Sequence, residues 1–377
     1  MSVLAPARVP FLDLDAATAE LRPELDAAIA RVLSSGRYLL GPEVEAFEAA
    51  WAAYAGAEHC VAVGSGLDAL RFALEAQGIG PGDEVLVPGQ TFVATWLAVS
   101  AVGARPVLVD CDPRTYLIDC GQIGAAVTPR TKAIIPVHLT GQAADMDAVL
   151  DLARAHGLHV VEDAAQAHGA TYRGRHCGAM GALGCFSFYP SKNLGACGDA
   201  GMVTTGERRL ADRVRRLRNY GEEAKYHHVE QGTNARLDTL QAAVLSVRLR
   251  RLAAWNQARN RHAEQYRRLL ADVGDIAFQE RAPGSDHVYH LFVVETGRRD
   301  ELRRHLHDAG VQTGVHYPVP IHLQRAYEDL GHKPGDFPNA ERLAARMLSL
   351  PMYPELRPEQ LTYVADQIRR FFGGTAR

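Results

Sequence analysis

The stretch CVAVGSGLDALRFALEAQG, Cys60 to Gly78, decides the fold. Four apolar residues read as a short buried strand, and two glycines around Ser65 turn the chain. Leu67, Leu70, Ala73 and Leu74 then recur at the spacing of an amphipathic helix. Gly78 closes it, the residue favoured just past a helix end. Outward from there the pattern repeats. EVLVP (Glu84–Pro88), RPVLVD (Arg105–Asp110), KAIIPVH (Lys132–His138) and LHVVED (Leu158–Asp163) read as strands. TFVATWLAVSAVG (Thr91–Gly103) and MDAVLDLARAHG (Met146–Gly157) read as helices that also end in Gly. The first of these is apolar almost all round and predicts a buried helix. Strand, helix, strand in this order predicts an α/β fold, with helices on both faces of a mostly parallel sheet.

CFSFY and GMVTT, starting at Cys185 and Gly201, add two short strands. From Arg208 the chain turns helical and basic, through a long helical stretch over Leu237–Leu270 whose many arginines read as a solvated face. HVYHLFVVE (His287–Glu295), DELRRHLHDAG (Asp300–Gly310) and VQTGVHYPV (Val311–Val319) then read as strand, helix and strand of a smaller unit. A boundary near Val247 divides the chain into a large domain, 1–247, and a small C-terminal domain, 248–377.

At 377 residues the chain is too long for one ordinary domain. A net charge of -3 supplies no concentrated basic face for nucleic acid. No apolar run reaches the roughly eighteen residues of a membrane span, so none is expected. Met1–Pro10 lacks the cationic start and apolar core of a secretory signal. Six cysteines without a CxxC pair read as reduced thiols of a cytoplasmic protein. His156 and His159 raise a metal site, but Glu162, the only further candidate nearby, sits at an odd offset along the strand and points away. No metal is expected.

Three features carry chemistry. GSGLDA at Gly64–Ala69 follows a strand and opens a helix, so its backbone amides suit a phosphate. It also matches a dinucleotide pattern. That pattern needs an acid at the end of the next strand, whereas EVLVP ends in Pro88 and Gly89. Asp163 closes HVVED, where ligands of open parallel sheets bind, and could hold a protonated ring nitrogen such as that of pyridoxal phosphate (PLP). Taken alone it could equally be a solvated or capping aspartate. Gln166 could donate to an oxygen on the same ring. In FSFYPSKNLGACGDAG, Phe186–Gly201, Lys192 follows an apolar strand and precedes a loop of small residues. A lysine so desolvated can act as an amine nucleophile, and Ser187 could add a hydroxyl to a phosphate.

On these motifs the chain resembles the DegT/DnrJ/EryC1/StrS family of PLP-dependent sugar aminotransferases. The likeness runs from VPFLDL at Val9 to LPMYPEL at Leu350. It passes through GRYLLGPEVEAFE, GSGLDAL, TFVATWLAV, HLTGQAADM, EDAAQAHGA, FSFYPSKNLGACGDAG, NARLDTLQAA and HYPVPIHLQRAY. The resemblance implies an aspartate-aminotransferase-type fold and a homodimer with shared active sites. It implies that Lys192 is bonded to PLP as a Schiff base, and that pyridoxamine phosphate is the alternate cofactor form. Asp163 would pair with the ring nitrogen and Gln166 with the ring oxygen. Gly66, Leu67 and Ser187 would bind the phosphate, and Asn234 would reach it from the neighbouring subunit. Phe92 and Ala165 would lie on the two faces of the ring. Phe92 could instead be core, and Asn234 could merely cap a helix.

GLDAL, FYPSKNLGA and GDAG look most like the branch that aminates C3 of a dTDP-linked 3-keto-6-deoxyhexose, with L-glutamate as donor. That branch implies substrate contacts from Tyr189, Lys225, His316 and Tyr317, though His316 could be a satisfied core histidine. Leu67 departs from the threonine of many members and removes one possible phosphate hydroxyl. Members acting on a 4-keto sugar or a keto-inositol are the alternatives. Dehydratases of the same fold carry histidine in place of the lysine.

Overall fold

Helices α1 (Leu14–Ser35) and α2 (Pro42–Ala55) lead into β1 (His59–Val63), α3 (Gly66–Ala76), β2 (Glu84–Pro88), α4 (Val93–Ala101) and β3 (Arg105–Val109) of the computed structural model. The alternation continues through α5 (Cys120–Ala126), β4 (Thr131–Ile134), α6 (Met146–His156) and β5 (His159–Asp163). A small hairpin, β6 (Thr171–Tyr172) and β7 (Arg175–His176), precedes β8 (Leu183–Ser187), β9 (Gly201–Thr205) and α7 (Arg208–Leu217). A second hairpin, β10 (Glu222–Ala224) and β11 (His227–His228), leads to α8 (Thr239–Leu249) and α9 (Leu252–Leu269). The rest is β12 (Ala277–Phe278), β13 (Phe292–Glu295), α10 (Arg299–Asp308), α11 (Pro338–Arg346), β14 (Met347–Leu350) and α12 (Pro358–Phe371). The structure describes residues 8–373, so Met1–Ala7, part of the segment read for a secretory signal, lies outside the described residues.

The main sheet has seven strands in the order β1–β9–β8–β5–β4–β2–β3. β9 pairs antiparallel with both β1 and β8, and every other pair in this sheet is parallel. Strand side chains alternate between the faces. Cys60 and Ala62 therefore join a core with Phe47 and Trp51 of α2, Val149 of α6 and Leu245 of α8. Val61 and Val63 join the opposite core with Phe72 of α3, Trp96 of α4 and Val214 of α7. The chain is thus α/β, with a mostly parallel mixed sheet between two helical layers.

Four expectations change. The strand read over Val311–Val319 is absent: that segment makes only single bridges, Val9–Val311 and Gly314–Ser349, and β13 pairs instead with β12 and β14. The long helical stretch breaks at Arg250–Arg251 into α8 and α9. Its arginines are not all solvated. Arg248 and Arg259 are 7% and 3% exposed. Arg248 donates to the carbonyls of Gly195 (2.6 Å) and Ala196 (3.2 Å), and Arg259 to those of Tyr289 (3.1 Å) and Met352 (2.8 Å). Composition cannot reveal such pairing, because the acceptors are main-chain atoms far away in sequence. Helix α4 is also not buried all round, since Leu97 on it and Phe92 at its start stand exposed.

Candidate active site

The carboxyl ends of four parallel strands converge on one crevice, the position that open α/β sheets use for ligands. β1 delivers Ser65 and Gly66, β2 leads to Phe92, β5 ends at Asp163, and β8 ends at Ser187. Ser65 caps α3: its hydroxyl accepts from the Asp68 amide (3.1 Å) and donates to the Asp68 carboxylate (2.7 Å). The amides of the first helical turn are left free of helix partners. A Cβ on Gly66 would stand 2.6 Å from the Cβ of Ser187, and one on Gly201 would collide with the Ser65 carbonyl. These two glycines let the helix start close onto the end of β8, with the Ser187 hydroxyl alongside. That cradle fits a phosphate.

Asp163 is 5% exposed, which overturns the solvated alternative. Its carboxylate accepts from the Thr95 hydroxyl (2.8 Å) and the Ala165 amide (3.2 Å). Burial pushes its pKa up, and those two hydrogen bonds oppose the shift. Thr95 was not legible beforehand. It lies one turn after Thr91, bonded to it at 2.8 Å, inside a run that reads simply as apolar.

Lys192 is partly accessible. Desolvation nevertheless lowers its pKa to about 8, and the charge of Asp163 limits the fall. Asn193 anchors the loop through the Asn256 side chain and the Val288 carbonyl, both at 2.9 Å. Arg248 holds the loop from beneath. Arg248→Ala is expected to cost about 2–4 kcal/mol of stability in denaturant unfolding, because two buried carbonyls lose a charged donor.

Gln166 accepts from the Thr140 amide (2.7 Å) and donates to the Tyr317 hydroxyl (3.3 Å). The Tyr317 ring lies 5.3 Å from that of Phe92, and Phe92, 51% exposed, is not core. His316 is not an isolated core histidine. Its Nδ1 bonds the Ser349 hydroxyl (2.8 Å), its ring stacks on Phe11, and burial with the Lys192 charge lowers its pKa to about 4. Tyr189 is exposed, and its carbonyl accepts the Lys192 amide (2.9 Å). Gly66, Leu67, Phe92, Asp163, Ala165, Gln166, Ser187, Tyr189, Lys192, His316 and Tyr317 thus belong to this crevice or its rim.

Two residues make no contact there within the chain. Lys225 sits in the β10–β11 hairpin, 5.2 Å from the Tyr226 ring. Asn234 is exposed and bridges Asn219, and it does not cap α8, whose cap is Asp238. Among the described residues no group of three or more His, Cys, Asp or Glu is placed to hold a metal.

A desolvated amine, a buried strand-end carboxylate and a phosphate cradle together fit PLP. Comparison with known proteins agrees. The family description DegT/DnrJ/EryC1/StrS aminotransferase matches residues 19–369. The chain is 55% identical to the dTDP-3-amino-3,4,6-trideoxy-alpha-D-glucose transaminase of Streptomyces venezuelae, over 97% of this chain and 96% of that protein. It is 56% identical to the erythromycin biosynthesis sensory transduction protein EryC1 of Saccharopolyspora erythraea, over 96% and 99%. The crystal structure of S. venezuelae DesV in complex with a ketimine intermediate superposes with a TM-score of 0.95 at 55% identity, covering 97% and 98% of the two chains.

Proposed function

The chain belongs to the DegT/DnrJ/EryC1/StrS aminotransferase family, and from that premise we propose that it aminates C3 of a dTDP-linked 3-keto-6-deoxyhexose with L-glutamate as donor. The observation that carries the reading is the depressed amine of Lys192 in the crevice that Asp163 closes. The likeness to a dTDP-3-amino sugar transaminase supports the choice of sugar and carbon. Bound PLP supplies an electron-withdrawing ring that takes up the electron pair left when a proton leaves the amino-bearing carbon.

The residues of the chain do the rest. Gly66, Leu67 and Ser187 would hold the phosphate, Asp163 would keep the ring nitrogen protonated, and Gln166 would bond the ring oxygen. Phe92 and Ala165 would flank the ring. Lys192 would hold the cofactor and, once freed, would carry the proton from the donor carbon to the cofactor carbon, and in the second half of the cycle from that carbon to the sugar carbon. Tyr189, His316 and Tyr317 would line the sugar subsite.

Completion by a second subunit is part of the proposal, with Asn234 reaching the phosphate and Lys225 the sugar. The exposure of Tyr226 (79%), Leu97 and Val229 supports it. The two-domain division at 247/248 is also proposed, supported by the core that α9, α10, α12, β13 and β14 share, which Val9 of the N-terminal segment joins. A cytoplasmic setting accords with six free cysteines. Among the described residues no helix is long and apolar enough to cross a membrane.

The test is incubation with glutamate and a panel of dTDP-keto sugars, with the products read by mass and NMR. No amino sugar from any 3-keto substrate would overturn the assignment. A second expectation is pH dependence. Proton removal needs neutral Lys192, and an amine with a pKa of about 8 is ammonium below it. The donor half-reaction rate should therefore rise with pH along a limb centred near 8, checked by stopped-flow absorbance. A limb near 10 would show an unperturbed amine.

A further inference from the structure

Among the described residues, each oxygen of the Asp163 carboxylate takes one hydrogen bond. The Thr95 hydroxyl donates to Oδ2 at 2.8 Å and the Ala165 amide to Oδ1 at 3.2 Å. A carboxylate oxygen has two acceptor sites, so room remains for one more donor from the crevice. Thr95 is wholly buried and Thr91 is 3% exposed. A helical threonine commonly bonds the main-chain carbonyl one turn back. Thr95 instead sends its proton to a residue 68 positions away.

A hydroxyl has one proton to give. That of Thr95 goes to Asp163, so in its 2.8 Å bond with Thr91 it accepts, and Thr91 is the donor. The two hydroxyls therefore run in one direction and end on the carboxylate, each polarising the next. Their placement is dictated by the helix. Thr95 lies in the first turn of α4, and the neighbouring Trp96 ties that turn to the end of β2 by donating to the Pro88 carbonyl (3.2 Å). A β-branched side chain in a helix has few rotamers, which fixes the hydroxyl further.

Burial is the largest influence on Asp163 and favours its neutral form. The Thr95 bond opposes it first, followed by the Ala165 amide and the charges of Lys192 and His138. A buried carboxylate that faces a protonated ring nitrogen can lose its charge by taking the shared proton. A donor held against the carboxylate stabilises the charged form and makes it the weaker base.

We propose that Thr95, with Thr91 behind it, is a positioning residue for the cofactor: it fixes the Asp163 carboxylate and keeps it charged, so that the proton the two share stays on the ring nitrogen. No bond to carbon forms or breaks at either threonine. The inference rests on Asp163 being the partner of that nitrogen.

The test is nitrogen-15 NMR of enzyme reconstituted with PLP labelled at the ring nitrogen, whose shift distinguishes a protonated ring from a bare one. The wild type should give the protonated signal. Thr95→Val keeps the size and removes the hydroxyl. It should move the signal towards the bare ring, through a roughly tenfold to hundredfold change in the proton-sharing ratio. The Kd for PLP should rise roughly threefold to tenfold in the same variant, and kcat should fall roughly tenfold. Thr95→Ser keeps the donor and should restore the wild-type signal. Thr91→Val, which loses only the outer hydroxyl, should shift it less and in the same sense. A wild-type signal in Thr95→Val, or an equal shift in Thr95→Ser, would overturn the proposal. If Thr95→Val does not fold, Thr95→Ala takes its place. A bare ring in the wild type would sink the Asp163 assignment and this inference with it, whereas failure confined to the variants leaves that assignment standing.

Discussion

Lys192→Ala is expected to abolish amino transfer, lowering kcat by roughly four orders of magnitude or more, and to remove the visible absorbance of the bound cofactor. Two functions are lost together: the covalent hold on PLP, and the amine that moves the proton at the reacting carbon. The fold should survive. The loop is fixed by Asn193 and by Arg248 on the carbonyls of Gly195 and Ala196, none of which involves the lysine side chain. Removing a desolvated amine also relieves a burial cost, so thermal stability of the cofactor-free protein should not fall. Circular dichroism with a single-turnover assay separates the two readings. A variant that kept full transaminase activity would defeat the assignment.

Asp163→Asn should lower kcat by roughly a hundredfold to a thousandfold, while cofactor binding weakens less. The amide keeps the size of the carboxylate and an oxygen to accept from Thr95, so packing at the end of β5 is preserved. What disappears is the negative charge that would keep the ring nitrogen protonated. Burial already pushes the Asp163 pKa up, so the charge is dearly held, and a cationic ring nitrogen is the partner that would compensate it. Steady-state kinetics and a cofactor titration of the same variant check both halves. A kcat within threefold or so of wild type would show that this charge is not used.

Much of the fold was legible because strand and helix periods differ and the switch points are marked. β2 and β9 have the bounds their apolar runs suggest, and GSG marks the entry to α3. The small domain was harder. In VQTGVHYPV an apolar alternation exists, but Gly314 and the prolines that follow leave only isolated bridges. The break between α8 and α9 carries no glycine or proline, and a helix can be interrupted by tertiary anchoring that the local sequence does not record.

The candidate site divides the same way. Asp163, Ser187 and the glycines stand at strand ends, and Lys192 lies in the loop that follows β8, where position confers meaning. Thr95 works through a contact between distant segments, and nothing near it in the chain announces it. Lys225 and Asn234 are a different case, since within the chain neither contacts the crevice and their roles rest on the proposed second subunit.

The brace under the lysine loop has a consequence for how the protein can change. Arg248 grips main-chain oxygens, and Gln241 accepts the amide of Cys197 at 2.8 Å. Among the loop side chains from Leu194 to Cys197, that of Cys197 is exposed, whereas Leu194 and Ala196 are buried in the core. A library randomised at Cys197 should therefore yield many active clones, whereas randomising Ala196 or Arg248 should yield few. Tolerance to mutation is set here by which side chains the fold has covered, and the loop that carries Lys192 can drift in sequence only where it faces solvent.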